Sequence, residues 1–307
     1  MRAMAYDAYG TDDVLALREL PDPKVGPGEV RIRVRRAGVN PVDWKLMSGG
    51  LDGLMDAVFP VVPGWDVAGV VEAVGIDTPE FEVGDEVVAY ARKDVVHGGT
   101  FAELVTMGVR GVAPKPESLS WDEAGGLPLA GLTALQTLDR LGVSSSDTVL
   151  VHGGAGGVGV LAVQIAKARG ARVIATASEP NHAFLSELGA TPVAYGDGAV
   201  ERIRAVAPDG VDVVADFVGG VRDVTMAVLA PGGRHASIAD STVLETGGAW
   251  FWVRPSADGL VELGRLADAG QLHVPVADVL PLEELPAAFA RSRDGHVRGK
   301  LVIAVSD

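Results

Sequence analysis

The chain has 307 residues, 48% of them hydrophobic, a formal net charge of −15 and no cysteine. That length suits two domains rather than one. The acidity argues against nucleic-acid or anionic-membrane partners, which need basic patches, and the missing cysteines exclude disulfides and thiolate metal sites.

No run of 18 apolar residues occurs, and the stretch from Met1 to Tyr9 lacks the apolar region of a signal peptide. The expectation is a soluble cytoplasmic protein without a membrane partner. Residues 1–115 read as β-rich. Glu29–Arg36 alternates apolar and charged residues, the pattern of a half-exposed strand. Val67–Val74, Asp85–Tyr90 and Gly99–Thr106 read as further strands, with turns at Gly26-Pro27-Gly28 and Gly84-Asp85. Several short, closely spaced strands predict a small barrel. Pro114 and Pro116 mark a linker, and Ser120 to Glu123 is a capping box that opens a helix. Strands are then predicted at 148–151, 172–177, 192–195, 211–216 and 233–239, alternating with helices, which is a doubly wound α/β pattern. Leu260, Leu263, Leu266 and Ala267 form the apolar face of a helix over 257–269. The strand at Gly299–Val305 has no helix to pair with and returns, on this reading, to the first domain.

The most informative stretch is His152-Gly-Gly-Ala-Gly-Gly-Val-Gly159. It follows a buried strand and precedes an apolar helix and a second strand, the setting that a dinucleotide-binding G-x-G-x-x-G turn requires. Gly154 is expected to make the tight turn, Gly156 to let the backbone approach a pyrophosphate, and Gly159 to let helix and strand pack closely. Ala155, Gly157 and Val158 complete the cradle, and the positive helix end holds the phosphates. A dinucleotide-binding fold usually ends its second strand in Asp or Glu, to bond the ribose 2′-hydroxyl. Here that position falls near Ser178, which admits a 2′-phosphate where a carboxylate would repel it. Glu179, next in sequence, could take the 2′-hydroxyl role instead.

These features resemble the medium-chain dehydrogenase/reductase superfamily, in its zinc-free quinone oxidoreductase-like branch. The resemblance also rests on Ala37–Asp43, Pro63–Gly69, Gly84-Asp85, Gly98–Glu103, Leu127–Ala134 and Arg298–Val302, in the family's order. It implies an α/β fold: a GroES-like β-barrel catalytic domain over 1–115, completed by about 270–307, and a Rossmann-type doubly wound parallel sheet domain over 116–269, with the active site in the cleft. It implies NADPH rather than NADH as cofactor, with Tyr195 near the 2′-phosphate. His182 is the one nearby cation candidate, since no Arg or Lys stands where a relative places a phosphate clamp. It further implies that Thr133 touches the nicotinamide side, that Val218 and Ile238 line the ring, that Phe251 and Val253 approach the carboxamide, and that Lys300 lies near the cofactor. Core packing would equally account for Val218, Ile238 and Phe251.

The positions that hold catalytic zinc in relatives are Asn40, Trp65 and Leu129, and indole and alkyl groups do not ligate; no metal is expected. Asn40 is the first candidate for catalysis, as an amide donating to a substrate oxygen. Asp43 would orient Asn40 or Lys45, or simply cap a turn. Lys45 would polarise a carbonyl, or lie exposed. Trp44 and Trp65 would form an aromatic wall, or pack in the core. Without a tyrosine in Met47–Met55, solvent is the expected proton donor. Ala249–Val253 reads as an aromatic edge strand that pairs across a homodimer. The activity implied is zinc-independent hydride transfer from NADPH to a quinone or α,β-unsaturated carbonyl. An enoyl-thioester reductase and a non-catalytic NADPH-binding redox sensor are the alternatives.

Overall fold

The computed structural model describes residues 1–306 as two units, one of Met1–Leu132, Pro255–Asp268 and the residues from His273 onward, the other of Thr133–Arg254 and Ala269–Leu272. In chain order the first unit begins with β1 (Arg2–Ala5), β2 (Ala16–Glu19), β3 (Glu29–Gly38), α1 (Pro41–Met47), β4 (Ala57–Val62), β5 (Asp66–Val74), β6 (Glu86–Tyr90), β7 (Val96–Gly98), β8 (Leu104–Gly108), β9 (Val112–Pro114) and α2 (Trp121–Gly126). Helix α3 (Pro128–Arg140) carries the chain into the second unit. There follow β10 (Thr148–His152), α4 (Gly159–Ala168), β11 (Arg172–Ala177), α5 (His182–Glu187), β12 (Thr191–Ala194), α6 (Ala199–Val206), β13 (Val211–Asp216), α7 (Arg222–Val228), β14 (Leu229–Ser237) and β15 (Ala249–Trp250). The chain returns to the first unit with α8 (Ala257–Asp268), β16 (Val276–Pro281), α9 (Leu285–Asp294) and β17 (Lys300–Ala304).

Strand β3 organises the first unit. Val30, Ile32 and Val34 are fully buried while the arginines between them face outward, and each such apolar side chain contributes about 1.5–3 kcal/mol by leaving water. One edge of β3 pairs with β5; the other is shared, with β8 opposite residues 29–33 and β17 opposite 36–38. The late strand β17 thus returns to the first unit. The structure differs from expectation at Gly99–Thr106, where only Leu104 onward is strand. Gly99 instead folds against residues 62–64, so closely that a Cβ there would lie 2.5 Å from three carbonyl oxygens. Pro114 is not a linker residue but ends β9, an edge strand whose outer side needs no N–H donor.

The second unit is a six-stranded, wholly parallel sheet in the order β12-β11-β10-β13-β14-β15. Counted within the unit this is 3-2-1-4-5-6, the doubly wound order that binds dinucleotides where the strand order reverses. Leu150, Ile174, Val211, Val214 and Val228 form its buried core. The reversal point is β10, and the glycine turn follows directly from it.

Candidate active site and cofactor turn

Four polar side chains are buried together in the first unit: Asn40, Asp43, Asp66 and Lys300. Asn40 precedes α1, where Pro41 supplies a helix-ready φ; Asp66 opens β5 and Lys300 opens β17. Asn40 Nδ2 donates to Asp66 Oδ2 at 2.9 Å and to Gly38 O at 3.3 Å, and its Oδ1 accepts from Lys300 Nζ at 2.5 Å. Lys300 Nζ donates also to Val39 O at 3.0 Å and reaches Asp66 Oδ2 at 3.5 Å. Asp66 Oδ1 accepts the N–H of Leu129 at 2.6 Å. Each hydrogen-bond partner of Asp66 is a donor, yet its carboxyl stays above the usual carboxylate range. Burial pushes the Asp66 carboxyl up, while the Lys300 ammonium, the Asn40 amide and the Leu129 N–H pull it down.

Asp43 is in a different state. Its Oδ2 accepts the Asn40 N–H at 2.8 Å, and its Oδ1, fully buried, has no hydrogen-bond partner among the described residues. Burial pushes this carboxyl up to about 8, the Asn40 N–H opposes the shift and the Asp66 charge adds to it. An aspartate in the unfolded chain titrates near 3.9. Between about pH 4 and 8 the folded protein therefore keeps a proton that the unfolded chain has lost, and this group makes stability fall as pH rises, by at most about 1.4 kcal/mol per pH unit. Above the folded pKa the slope vanishes. Asp43→Asn removes the slope, so its stability relative to the parent protein rises between pH 5 and pH 8. Urea midpoints at the two pH values measure this, and a gap independent of pH would refute it.

This geometry bears on four expectations. The amide hydrogens of Asn40 are spent on Asp66 and Gly38, so Asn40 holds the network and has no spare donor for a substrate. Lys300 is buried among protein acceptors: an ammonium needs partners for its three hydrogens, and Val39 O, Asn40 Oδ1 and Asp66 Oδ2 supply them. Lys45 does not join Asn40 and Asp43. It is exposed, with Nζ 5.5 Å from the Trp44 ring centroid. The two tryptophans serve separate places: Trp65 is buried edge-on to Tyr90, and Trp44 donates from its indole to Ser292 Oγ. The residue that sequence reasoning passed over is Asp66. Its signal was a carboxylate at the head of the apolar run Val67-Ala-Gly-Val-Val71.

In the second unit the left-handed residue of the glycine turn is Gly153, at φ +74°, one position before the expected Gly154. Gly154 has a packing role instead, since a Cβ there would lie 2.7 Å from Ala175 Cβ on β11. At Gly159 a Cβ would meet Gly153 O at 2.1 Å, so the helix starts in close contact with the turn. Gly156 is different: the nearest atom to its added Cβ is 3.4 Å away. The protein's own packing leaves room there. Gly153 and Gly154 donate to Thr176, Gly156 donates to Gly153 O, and helical bonding resumes where Val160 donates to Gly156 O. Ala155, Gly157 and Val158 lie between these anchors, at the start of α4.

A buried polar layer lies under the strand ends. Asp216 Oδ1 accepts the N–H groups of Val218 and Gly219, both at 2.9 Å, and its Oδ2 accepts the Ser237 hydroxyl at 2.7 Å. Ser237 Oγ in turn accepts from Ala239 and Asp240. One carboxylate thus fixes the loops after β13 and β14. His152, opposite Asp216 in the sheet, has its pKa pushed down to about 4 by burial against the pull of Asp216. It is neutral at physiological pH. Val218 is 55% exposed, so the core-packing alternative does not hold for it. Ile238 and Phe251 are half-buried, Phe251 donating to Ser237 O at 2.9 Å, while Val253 and Thr133 are buried. Ser178 is half-buried, His182 Nε2 lies 3.3 Å from Ala177 O, and Tyr195 is exposed.

The three positions that bind zinc in relatives do not fit the ion. Asn40 Oδ1 is taken by an ammonium, Trp65 is packed on Tyr90, and Leu129 offers only its backbone. Among the described residues no group of three or more His, Asp or Glu is placed to hold a metal, and no helix is long and apolar enough to cross a membrane. Residues 26–117 match the family described as the alcohol dehydrogenase GroES-like domain, and residues 188–303 the family described as zinc-binding dehydrogenase. The chain is 34% identical to the chloroplastic NADPH-dependent alkenal/one oxidoreductase of Arabidopsis thaliana, over 99% of this chain and 79% of that protein. It is 35% identical to the 2-methylene-furan-3-one reductase of Solanum lycopersicum, with the same coverage. The solved quinone oxidoreductase from Coxiella burnetii superposes with a TM-score of 0.88 at 34% identity, over 100% of this chain and 99% of that one.

Proposed function

Because the chain belongs to the medium-chain dehydrogenase/reductase superfamily, we propose that it is an oxidoreductase that transfers hydride from NADPH to a quinone or an α,β-unsaturated carbonyl. The observation that carries this reading is the donor set at the zinc positions: an amide, an indole and an alkyl chain, with the Lys300 ammonium bonded to the amide. Stabilising a localised alkoxide is the work of a Lewis acid. A conjugated acceptor instead spreads the incoming charge through its π-system, so alignment, one hydrogen bond and exclusion of water suffice.

NADPH, when bound, supplies the hydride. The turn from Ala155 to Gly159 would hold the pyrophosphate against the positive end of α4, in the room left at Gly156. Ser178 and Tyr195 would meet the 2′-phosphate. Val218, Ile238, Phe251 and Val253 would line the nicotinamide, with Asp216 and Ser237 fixing the loops that carry the first two. Asn40, Asp43, Asp66 and Lys300 form a buried polar network in the first unit, and solvent supplies the proton.

The same proposal includes a homodimer paired through the edge strand β15, where Trp250 is 48% exposed and Trp252 37%, and a cytoplasmic location, which fractionation tests. The decisive experiment follows NADPH absorbance with a benzoquinone, a naphthoquinone, an enone and an enal. Oxidation by at least one is expected; tight NADPH binding with no turnover on any of the four would sink the reading. Light scattering on that preparation should give twice the 31.7 kDa chain mass, and the mass of one chain would remove the dimer.

A further inference from the structure

The NADPH reading leaves open which cation distinguishes a 2′-phosphate from a 2′-hydroxyl, and the inference drawn here rests on that reading. Strands β11 and β12 run parallel with Ala177 opposite Ala194. Ser178 and Tyr195 are therefore the next residues out from two adjacent strand ends. Ser178 Oγ accepts from Asn181 Nδ2 at 3.0 Å, and its hydroxyl hydrogen remains to donate. Tyr195 is 56% exposed.

Arg202, on α6, reaches back to the same edge. Its Nε donates to Ala194 O at 3.0 Å, and its Nη2 donates to Asp197 O at 2.8 Å and Tyr195 O at 3.3 Å. A guanidinium carries five N–H donors in a rigid fork, so this bonding leaves the two on Nη1. That nitrogen sits beside Gly198, whose φ is +75° and where an added Cβ would lie 3.0 Å from it. Among the described residues no carboxylate oxygen lies within ion-pair distance of Arg202, in a chain whose acids outnumber its Lys and Arg by 41 to 26. The sequence conceals this residue, because it stands seven positions after Tyr195 and only the turn of the chain into α6 brings it back.

We propose that Arg202 is the cation that recognises the 2′-phosphate, with the Ser178 and Tyr195 hydroxyls as its partners. The carbonyls that it binds hold the fork in place, so the Nη1 face meets the phosphate without reordering a long side chain. Glu179 is exposed beside Ser178.

Binding of 2′,5′-ADP and of 5′-AMP, measured by calorimetry on the full chain, tests this without any turnover. Arg202→Gln should weaken 2′,5′-ADP by about 10- to 100-fold, the scale of a charge-assisted pair, and leave 5′-AMP within about twofold. Arg202→Lys, which keeps the charge, should recover part of the loss. Equal weakening of both probes would reduce Arg202 to a shaper of the loop and overturn the inference, as would unchanged binding of both. Failure of the parent protein to prefer 2′,5′-ADP over 5′-AMP would overturn the NADPH reading itself, and this inference with it.

Discussion

Lys300→Met costs the protein about 3–5 kcal/mol of stability, the usual result of removing one partner from a buried ion pair. Methionine replaces the aliphatic stem well enough that packing is a small part of the loss. The larger part is electrostatic. Lys300 is 4% exposed and Asp66 is fully buried, so the Asp66 carboxylate would keep only the Asn40 amide and the Leu129 N–H. Val39 O and Asn40 Oδ1 would lose their donor as well. Urea unfolding followed by tryptophan fluorescence measures the effect, since Trp44, Trp65 and Trp121 report on the first unit and Trp250 and Trp252 on the second. The loss should appear in the transition of the first unit. Adding Asp66→Asn should return part of it, because the uncompensated charge is then gone and the two sites are coupled. A loss below about 1 kcal/mol would mean that the pair contributes no more than an exposed one.

The second large effect separates two glycines three positions apart. Gly159→Ala places a methyl 2.1 Å from Gly153 O and 2.9 Å from Gly154 Cα. Both obstacles are backbone, which yields poorly, so overpacking of about 1–3 kcal/mol is expected in the protein alone, with loss of NADPH affinity as the turn is displaced. Gly156→Ala meets nothing nearer than 3.4 Å. It should unfold within about 0.5 kcal/mol of the parent, the range of substitutions that disturb nothing, yet bind NADPH at least about tenfold more weakly if the pyrophosphate lies against that Cα. Thermal unfolding with and without NADPH distinguishes the two. If Gly156→Ala bound NADPH as the parent does, the phosphate would have to sit elsewhere along the turn.

Local pattern carried much of the fold into view. The alternation of Glu29–Arg36 foretold which side of β3 is buried, and the strand-glycine-helix-strand order around Gly154–Gly159 foretold a parallel sheet with a glycine turn between strand and helix. Patterns of that kind are set by residues two to four apart. The network of the first unit is not. Lys300 bonds a residue 260 positions away, and no periodicity near either end announces the other. The same holds for Asp66, whose partners are Asn40, Leu129 and Lys300. Asn40 was visible as a candidate, but its role could not be read, because that depends on which acceptors surround the amide. Among Gly153, Gly154 and Gly156 any could have taken the left-handed conformation; the neighbours of each in space decide it, and Gly153 alone of the three does so.

The position of β17 has a consequence for how the polypeptide is made. Residues 36–38 of β3 pair with residues 302–304, so at synthesis rates of about 5–20 residues per second those early residues wait on the order of tens of seconds for their neighbour. The second unit needs little beyond a continuous run, Thr133–Arg254, with only Ala269–Leu272 added later. On the ribosome the usual amino-to-carboxyl order of assembly is therefore inverted: the middle of the message supplies the unit that can close earliest, while the exposed β3 edge, with Asn40 and Asp66 still lacking Lys300, is the part for which a nascent-chain chaperone has most to do.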